Sequence, residues 1–226
     1  MKNLMIISTP RSGSSALLQA FETLDQKIIY EPVPDPIKQR RKGSGWHGFT
    51  SGQMGLHAVD VIRNRAGDSE AYVVKHLIQQ MDLADNLKLL NTLNWPTIFL
   101  HRQNWVYGAL SWYLCNHTGK WHKKPSDMPK VDLDKLWNVI NKYMTWTQHL
   151  QGLYRIYKGD SIITTYEEIL TGDEWRKSFV TNFAEDYGIS MDWELSEGFS
   201  GKIHPSNTLT KIPNWPDVKK LLEEFQ

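Results

Sequence analysis

The stretch STPRSGSSALLQAF, Ser8 to Phe21, follows the apolar run Leu4–Ile7 without a break. A buried-type run, a short loop of small hydroxyl residues and then an apolar helical pattern spell strand, loop, helix, with the helix starting near Ser15. Gly13 lets the backbone come close to an anion. Successive N–H groups at the helix start converge on that anion, and the helix dipole favours negative charge there. Ser12, Ser14 and Ser15 add hydroxyl donors, and Arg11 adds a permanent charge on a planar donor fork. The stretch reads as a phosphate cradle. It is not the loop that binds nucleoside triphosphates, which needs two glycines at fixed spacing and then Lys-Ser or Lys-Thr. Here a single glycine stands in the loop and no lysine follows it. The plainer alternative is an N-capped turn, with Ser14 or Ser15 as cap and Gly13 easing the bend.

Outward from this loop, short apolar or β-branched runs recur at Leu4–Ile7, Lys27–Tyr30, Ala71–Lys75, Thr97–His101 and Ser161–Thr165. Gly, Asp, Pro or Asn stand nearby, as beside buried strands. Leu83, Leu87, Leu90 and Leu93 predict a helix over Asp82–Leu93, ended by Asn94-Trp95-Pro96. Leu133, Leu136, Trp137, Ile140, Met144 and Leu150 predict one face of a long helix opened by Asp132, and Val218, Leu221, Leu222 and Phe225 a short C-terminal one. Strands alternating with helices imply an α/β fold: one three-layer domain over residues 1–226, with a mostly parallel sheet flanked by helices. Pro32–Gly55, with early prolines and then the basic run Lys38–Lys42, is too long for a plain connector and is expected to be a lid or a mobile loop.

Composition narrows the function. The 226 residues suffice for one full core, and 26 basic against 25 acidic residues give a net charge of +1. No bulk attraction to nucleic acid follows, so any basic site is local. Cys115 is the only cysteine, which excludes an intrachain disulfide and a cysteine-based zinc site and suits a reducing cytosol. His47, His57, His117 and His122 lack ligand spacing on one helix, so no metal is expected. No apolar stretch is long enough to span a membrane and no secretory signal pattern opens the chain, so the expected location is cytoplasmic.

Four segments in order resemble the sulfotransferase family that uses 3′-phosphoadenosine 5′-phosphosulfate (PAPS). TPRSGSSALLQAF is similar to that family's 5′-phosphosulfate loop. PTIFLHRQNWVYGALSWYL, Pro96–Leu114, resembles its strand, loop and helix for the 3′-phosphate, with Arg102 and Ser111 at the matching Arg and Ser. The spacing between those two is one residue longer than in many members. AYVVKHLIQQM, Ala71–Met81, resembles the strand ending in Lys and His, although Lys75 and His76 are adjacent here. SIITTYEEIL, Ser161–Leu170, is similar to the strand and Tyr signature near the adenine, which points to Tyr166.

The resemblance implies a P-loop-like fold, PAPS as donor co-substrate, 3′,5′-adenosine bisphosphate (PAP) as product, and no metal. It implies that Arg11, Ser12, Gly13, Ser14, Ser15, Arg102, Ser111 and Tyr166 bind the donor. Arg11 would serve the leaving oxygen and Lys75 the sulfuryl group or the acceptor. Two residues compete as the base, Glu31 and His76, and Glu31 is preferred. The acceptor is a small molecule, a carbohydrate or another hydroxyl or amine compound. The runner-up functions are a nucleotide or small-molecule kinase, and a non-catalytic module that binds adenosine bisphosphate.

Overall fold

The computed structural model describes residues 2–21, 26–32, 53–67, 71–119, 128–170, 174–194 and 209–225. The basic run Lys38–Lys42, His47, His122 and Lys202 lie outside the described residues. In chain order the elements are β1 (Lys2–Ser8), α1 (Ser14–Gln19), β2 (Lys27–Tyr30), α2 (Gln53–Ala66), β3 (Ala71–Leu77), a 3-10 turn (Ile78–Gln80) and α3 (Leu83–Leu93). They continue with β4 (Thr97–His101), α4 (Trp105–Thr118), α5 (Leu133–Ile156), β5 (Ser161–Thr165), α6 (Tyr166–Leu170), α7 (Glu174–Glu185) and α8 (Trp215–Glu223).

The strands form one five-stranded sheet in the order β2-β3-β1-β4-β5, and every pair is parallel. β1 is central, and Leu4, Met5, Ile6 and Ile7 are fully buried because both sheet faces are covered. On one face Met5, Ile7, Tyr72, Val74 and Phe99 pack against α2, α3 and α5. On the other, Leu4, Ile6, Val73, Ile98 and Leu100 pack against α1, α6 and α7. A third cluster, from α4, α5 and α8, lies apart from the strands and includes Leu110, Ile140 and Leu222.

Local chemistry sets the helix ends. Asp82 caps α3 by accepting from Asp85 N, and Asp132 caps α5 by accepting from Lys135 N. On α5 the buried stripe is Leu136, Ile140, Tyr143, Thr147, Leu150 and Leu153. The expected face included Trp137, which is 43% exposed, so the stripe turns through Tyr143 instead. α2 takes Gln53–Gly55 from the end of the expected loop and buries Ala58, Val59, Ile62 and Ala66.

The topology also fixes where a ligand can sit. β1 leads to β2 on one side of the sheet, while its neighbour β4 leads to β5 on the other. Between the C-terminal ends of β1 and β4 the connections diverge and leave a crevice, where parallel α/β sheets bind ligands. The loop carrying Arg11 and the loop carrying Arg102 are the two that leave these strand ends.

Candidate active site

The loop after β1 is held from below. The Tyr143 hydroxyl, fully buried on α5, donates to Pro10 O at 2.6 Å and shares a second hydrogen bond with Thr9 Oγ1 at 3.2 Å. Burial pushes this phenol up to about 12, so it stays protonated and keeps its donor. Ser12 Oγ donates to Thr9 O at 2.7 Å and closes the loop on itself. The N-cap of α1 is Gly13, at φ 78°, and not the serines. An L side chain is strained at that angle, which explains the glycine. Gly13 O then accepts from Ala16 N and Leu17 N, while the first N–H groups of the helix have no intrahelical acceptor.

Three non-glycine residues among those described have positive φ: Arg11 (61°), Glu31 (43°) and Asn94 (48°). Asn94 is the C-cap of α3, an ordinary use. The other two have no capping role and both are predicted site residues. Left-handed backbone at such residues costs on the order of 1–3 kcal/mol, and it concentrates at functional positions.

Alternation along β3 separates the adjacent Lys75 and His76. Lys75 emerges on the face of Ala71 and Val73, beside α1, where its Nζ donates to Ser15 Oγ at 3.2 Å. The same Nζ pairs with Glu31 Oε1 at 3.2 Å, with side-chain exposures of 7% for Lys75 and 37% for Glu31. Glu31 N also donates to Lys75 O at 2.8 Å, which seats the carboxylate beside the lysine. Burial lowers the Lys75 pKa, and the Glu31 carboxylate opposes that shift. His76 emerges on the opposite face, fully buried, with Nε2 at 2.7 Å from Asn86 Oδ1 on α3. Burial pushes its imidazole down to about 4.

Around the other strand ends, Arg11 Nε donates to Ser111 Oγ on α4 at 3.1 Å. The loop after β1 is thereby tied to the helix after β4. Arg102 lies with its guanidinium carbon 4.7 Å from the centre of the Tyr166 ring. Glu167 accepts from Gln103 N at 2.8 Å and from Asn104 N at 3.4 Å, and it lies 3.8 Å from Arg102 Nε. The carboxylate thus fixes the loop that carries Arg102.

The predicted residues fall into two groups at the C-terminal edge of the sheet. Ser15, Lys75 and Glu31 form one, Arg102 and Tyr166 the other, and the Arg11–Ser111 pair bridges the loops between them. His76 joins neither group directly. Tyr143, Glu167 and Gln80, whose Nε2 donates to Glu31 Oε2 at 3.2 Å, were not anticipated from the sequence. The stripe Ile140-Tyr143-Thr147 at helical spacing was the available signal for Tyr143. Among the described residues no group of three or more His, Cys, Asp or Glu side chains is placed to hold a metal ion, and no helix is long and apolar enough to cross a membrane.

No family model and no curated protein matches the chain. Solved structures do. A sulfotransferase from Alicyclobacillus acidocaldarius superposes with a TM-score of 0.50 at 10% identity, covering 100% of this chain and 95% of that one. The mouse sulfotransferase SULT7A1, complexed with PAP, superposes with a TM-score of 0.51 at 14% identity, covering 100% of this chain and 89% of that one. The parallel sheet, the cradle loop after its central strand and these full-length superpositions together give the chain the fold of the sulfotransferases.

Proposed function

We propose that the chain is a sulfotransferase that moves a sulfuryl group from PAPS to a hydroxyl or amine of an acceptor. The observation that carries this reading is the meeting of Ser15, Lys75 and Glu31 beside the cradle, one strand away from the crevice that Arg11 and Arg102 flank. A site with one buried lysine between a hydroxyl and a carboxylate suits an anionic group in transfer next to a base. The fold shared with a sulfotransferase that binds PAP points the same way. In this reading Arg11, Ser12, Gly13, Ser14 and Ser15 hold the 5′-phosphosulfate, Arg102 and Ser111 the 3′-phosphate, and Tyr166 backs the adenine end. No metal is required, because arginine, serine and backbone donors meet both phosphates.

The acceptor oxygen or nitrogen attacks sulfur, and its proton passes to a Glu31 carboxylate oxygen. The bond from sulfur to the bridging oxygen breaks, and PAP leaves with that electron pair. Arg11 offers charge to the leaving oxygen, and Lys75 to the sulfuryl oxygens. In this reading Glu31 and not His76 is the base, because the His76 imidazole is buried on the other sheet face with its Nε2 beside Asn86 Oδ1. The buried Cys115 fits a reducing compartment, and the proposal places the enzyme in the cytoplasm as a single domain.

A screen of alcohol, phenol, sugar and amine acceptors with radiolabelled PAPS tests the reading. Glu31→Gln is expected to lower kcat by about 10²–10⁴ and to leave PAP affinity nearly unchanged. Transfer that survives Glu31→Gln would remove Glu31 as the base, and PAP binding without transfer to any acceptor would favour the non-catalytic module.

A further inference from the structure

We infer that Gln80 is a positioning residue that fixes the Glu31 carboxylate. The inference rests on the sulfotransferase reading for its consequence in catalysis, but the hydrogen bonds of Gln80 stand by themselves. Asn86 Nδ2 donates to the carbonyls of Ile78 at 3.1 Å, Met81 at 3.1 Å and Asp82 at 2.8 Å. Carbonyl oxygens only accept, so the amide orientation of Asn86 is fixed and its Oδ1 must face His76. His76 Nε2, at 2.7 Å, therefore carries the ring proton, and Nδ1 holds only a lone pair. That Nδ1 is buried and has no hydrogen-bond partner among the described residues.

Gln80 is fixed by the same logic. Leu77 N donates to its Oε1 at 3.4 Å, so the amide nitrogen lies at the other end and donates to Glu31 Oε2 at 3.2 Å. Gln80, His76 and Asn86 are 3%, 0% and 0% exposed. Flipping the Gln80 amide would turn its oxygen towards Glu31 and leave Leu77 N–H without an acceptor. Each of these is unfavourable in a buried site.

The two oxygens of Glu31 are then distinguished. Lys75 takes Oε1, and Gln80 takes Oε2. Lys75 is charged, shared with Ser15 and close to the Arg11 charge, so an arriving sulfuryl group draws on it. Gln80 is neutral and bound only to its own chain, so it keeps the carboxylate aimed while Lys75 engages the donor.

The test uses the full chain with Gln80→Met, which keeps volume and removes the donor, and Gln80→Asn, which keeps an amide one methylene shorter. The Glu31 side-chain carboxyl ¹³C signal is assigned by its loss in Glu31→Gln and followed with pH. Losing a donor to the carboxylate makes protonation easier, so the midpoint is expected to rise by about half a unit or more. In turnover, the acid limb of kcat/KM moves up with it, kcat falls at least about tenfold, and PAP affinity stays within about threefold. If Gln80→Met does not fold, Gln80→Asn carries the same expectations. A midpoint and kcat both unchanged in a folded variant overturn the inference and leave Gln80 a packing residue. A midpoint that moves in a protein that neither binds PAP nor transfers a sulfuryl group supports the positioning and sinks the sulfotransferase reading instead.

Discussion

Tyr143→Phe removes one hydroxyl and leaves the ring, so it isolates the tie between α5 and the cradle loop. The wild-type hydroxyl donates to Pro10 O at 2.6 Å and meets Thr9 Oγ1 at 3.2 Å, in a fully buried position. Phenylalanine leaves the Pro10 carbonyl without that donor. An unsatisfied buried acceptor costs about 1–3 kcal/mol. In a chain of this size that is a fall in Tm of about 2–12 °C. Pro10 immediately precedes Arg11, whose backbone is held at φ 61°. Loosening the loop lets Arg11 relax, so PAP affinity is expected to fall with stability, by about three- to tenfold. Urea unfolding measures the first effect and calorimetric titration the second. Gly108→Ala attacks the same contact from α4, because a Cβ there would sit 2.5 Å from the Tyr143 hydroxyl and 2.7 Å from its ring carbon. Overpacking of this kind costs about 1–3 kcal/mol. A Tyr143→Phe protein with unaltered urea midpoint and unaltered PAP affinity would refute the claim that α5 braces the loop.

Two further outcomes follow from the same geometry. Arg102→Ala is expected to weaken PAP binding by about 1.5–3 kcal/mol, roughly ten- to a hundredfold, the worth of a charge-assisted hydrogen bond; calorimetry on a folded variant with unchanged affinity removes Arg102 from the 3′-phosphate site. His76 sets a pH dependence of stability. Its folded pKa of about 4 lies below the ordinary value of 6.5, so the unfolded chain takes up a proton that the fold refuses. The stabilisation is intact above pH 6.5 and is lost as pH falls towards 4, amounting to about 2–3 kcal/mol between pH 7 and pH 4.5. His76→Phe should remove that part of the slope in urea midpoints, and an identical slope in both proteins contradicts it.

The sheet was legible because its signal is local. β2, β4 and β5 coincide with the runs Lys27–Tyr30, Thr97–His101 and Ser161–Thr165, and Asp82 and Asp132 cap the helices they precede. β1 and β3 run further than the expected Leu4–Ile7 and Ala71–Lys75, through Ser8 and Leu77, because central strands continue wherever neighbours supply hydrogen bonds. α2 was missed because its buried residues are small and sparse among His57, Asp60, Arg63 and Arg65. The turn from β1 into α1 was legible through Gly13 and the residues that flank it. Gln80, Asn86, Glu167 and Tyr143 were not, because each is an ordinary polar residue on a helix or turn until the fold brings a strand end to it. The ambiguity between Glu31 and His76 had the same origin: side-chain direction along β3 depends on which residue of the strand faces α1.

Calorimetric titration of the wild-type chain with PAP and with AMP, both without added metal, tests the proposed donor site most directly. In the proposed reading Arg102 and Ser111 hold the 3′-phosphate, which AMP lacks. PAP is therefore expected to bind at least about tenfold more tightly than AMP, a difference of about 1.4 kcal/mol. Equal affinities for the two nucleotides would contradict the account.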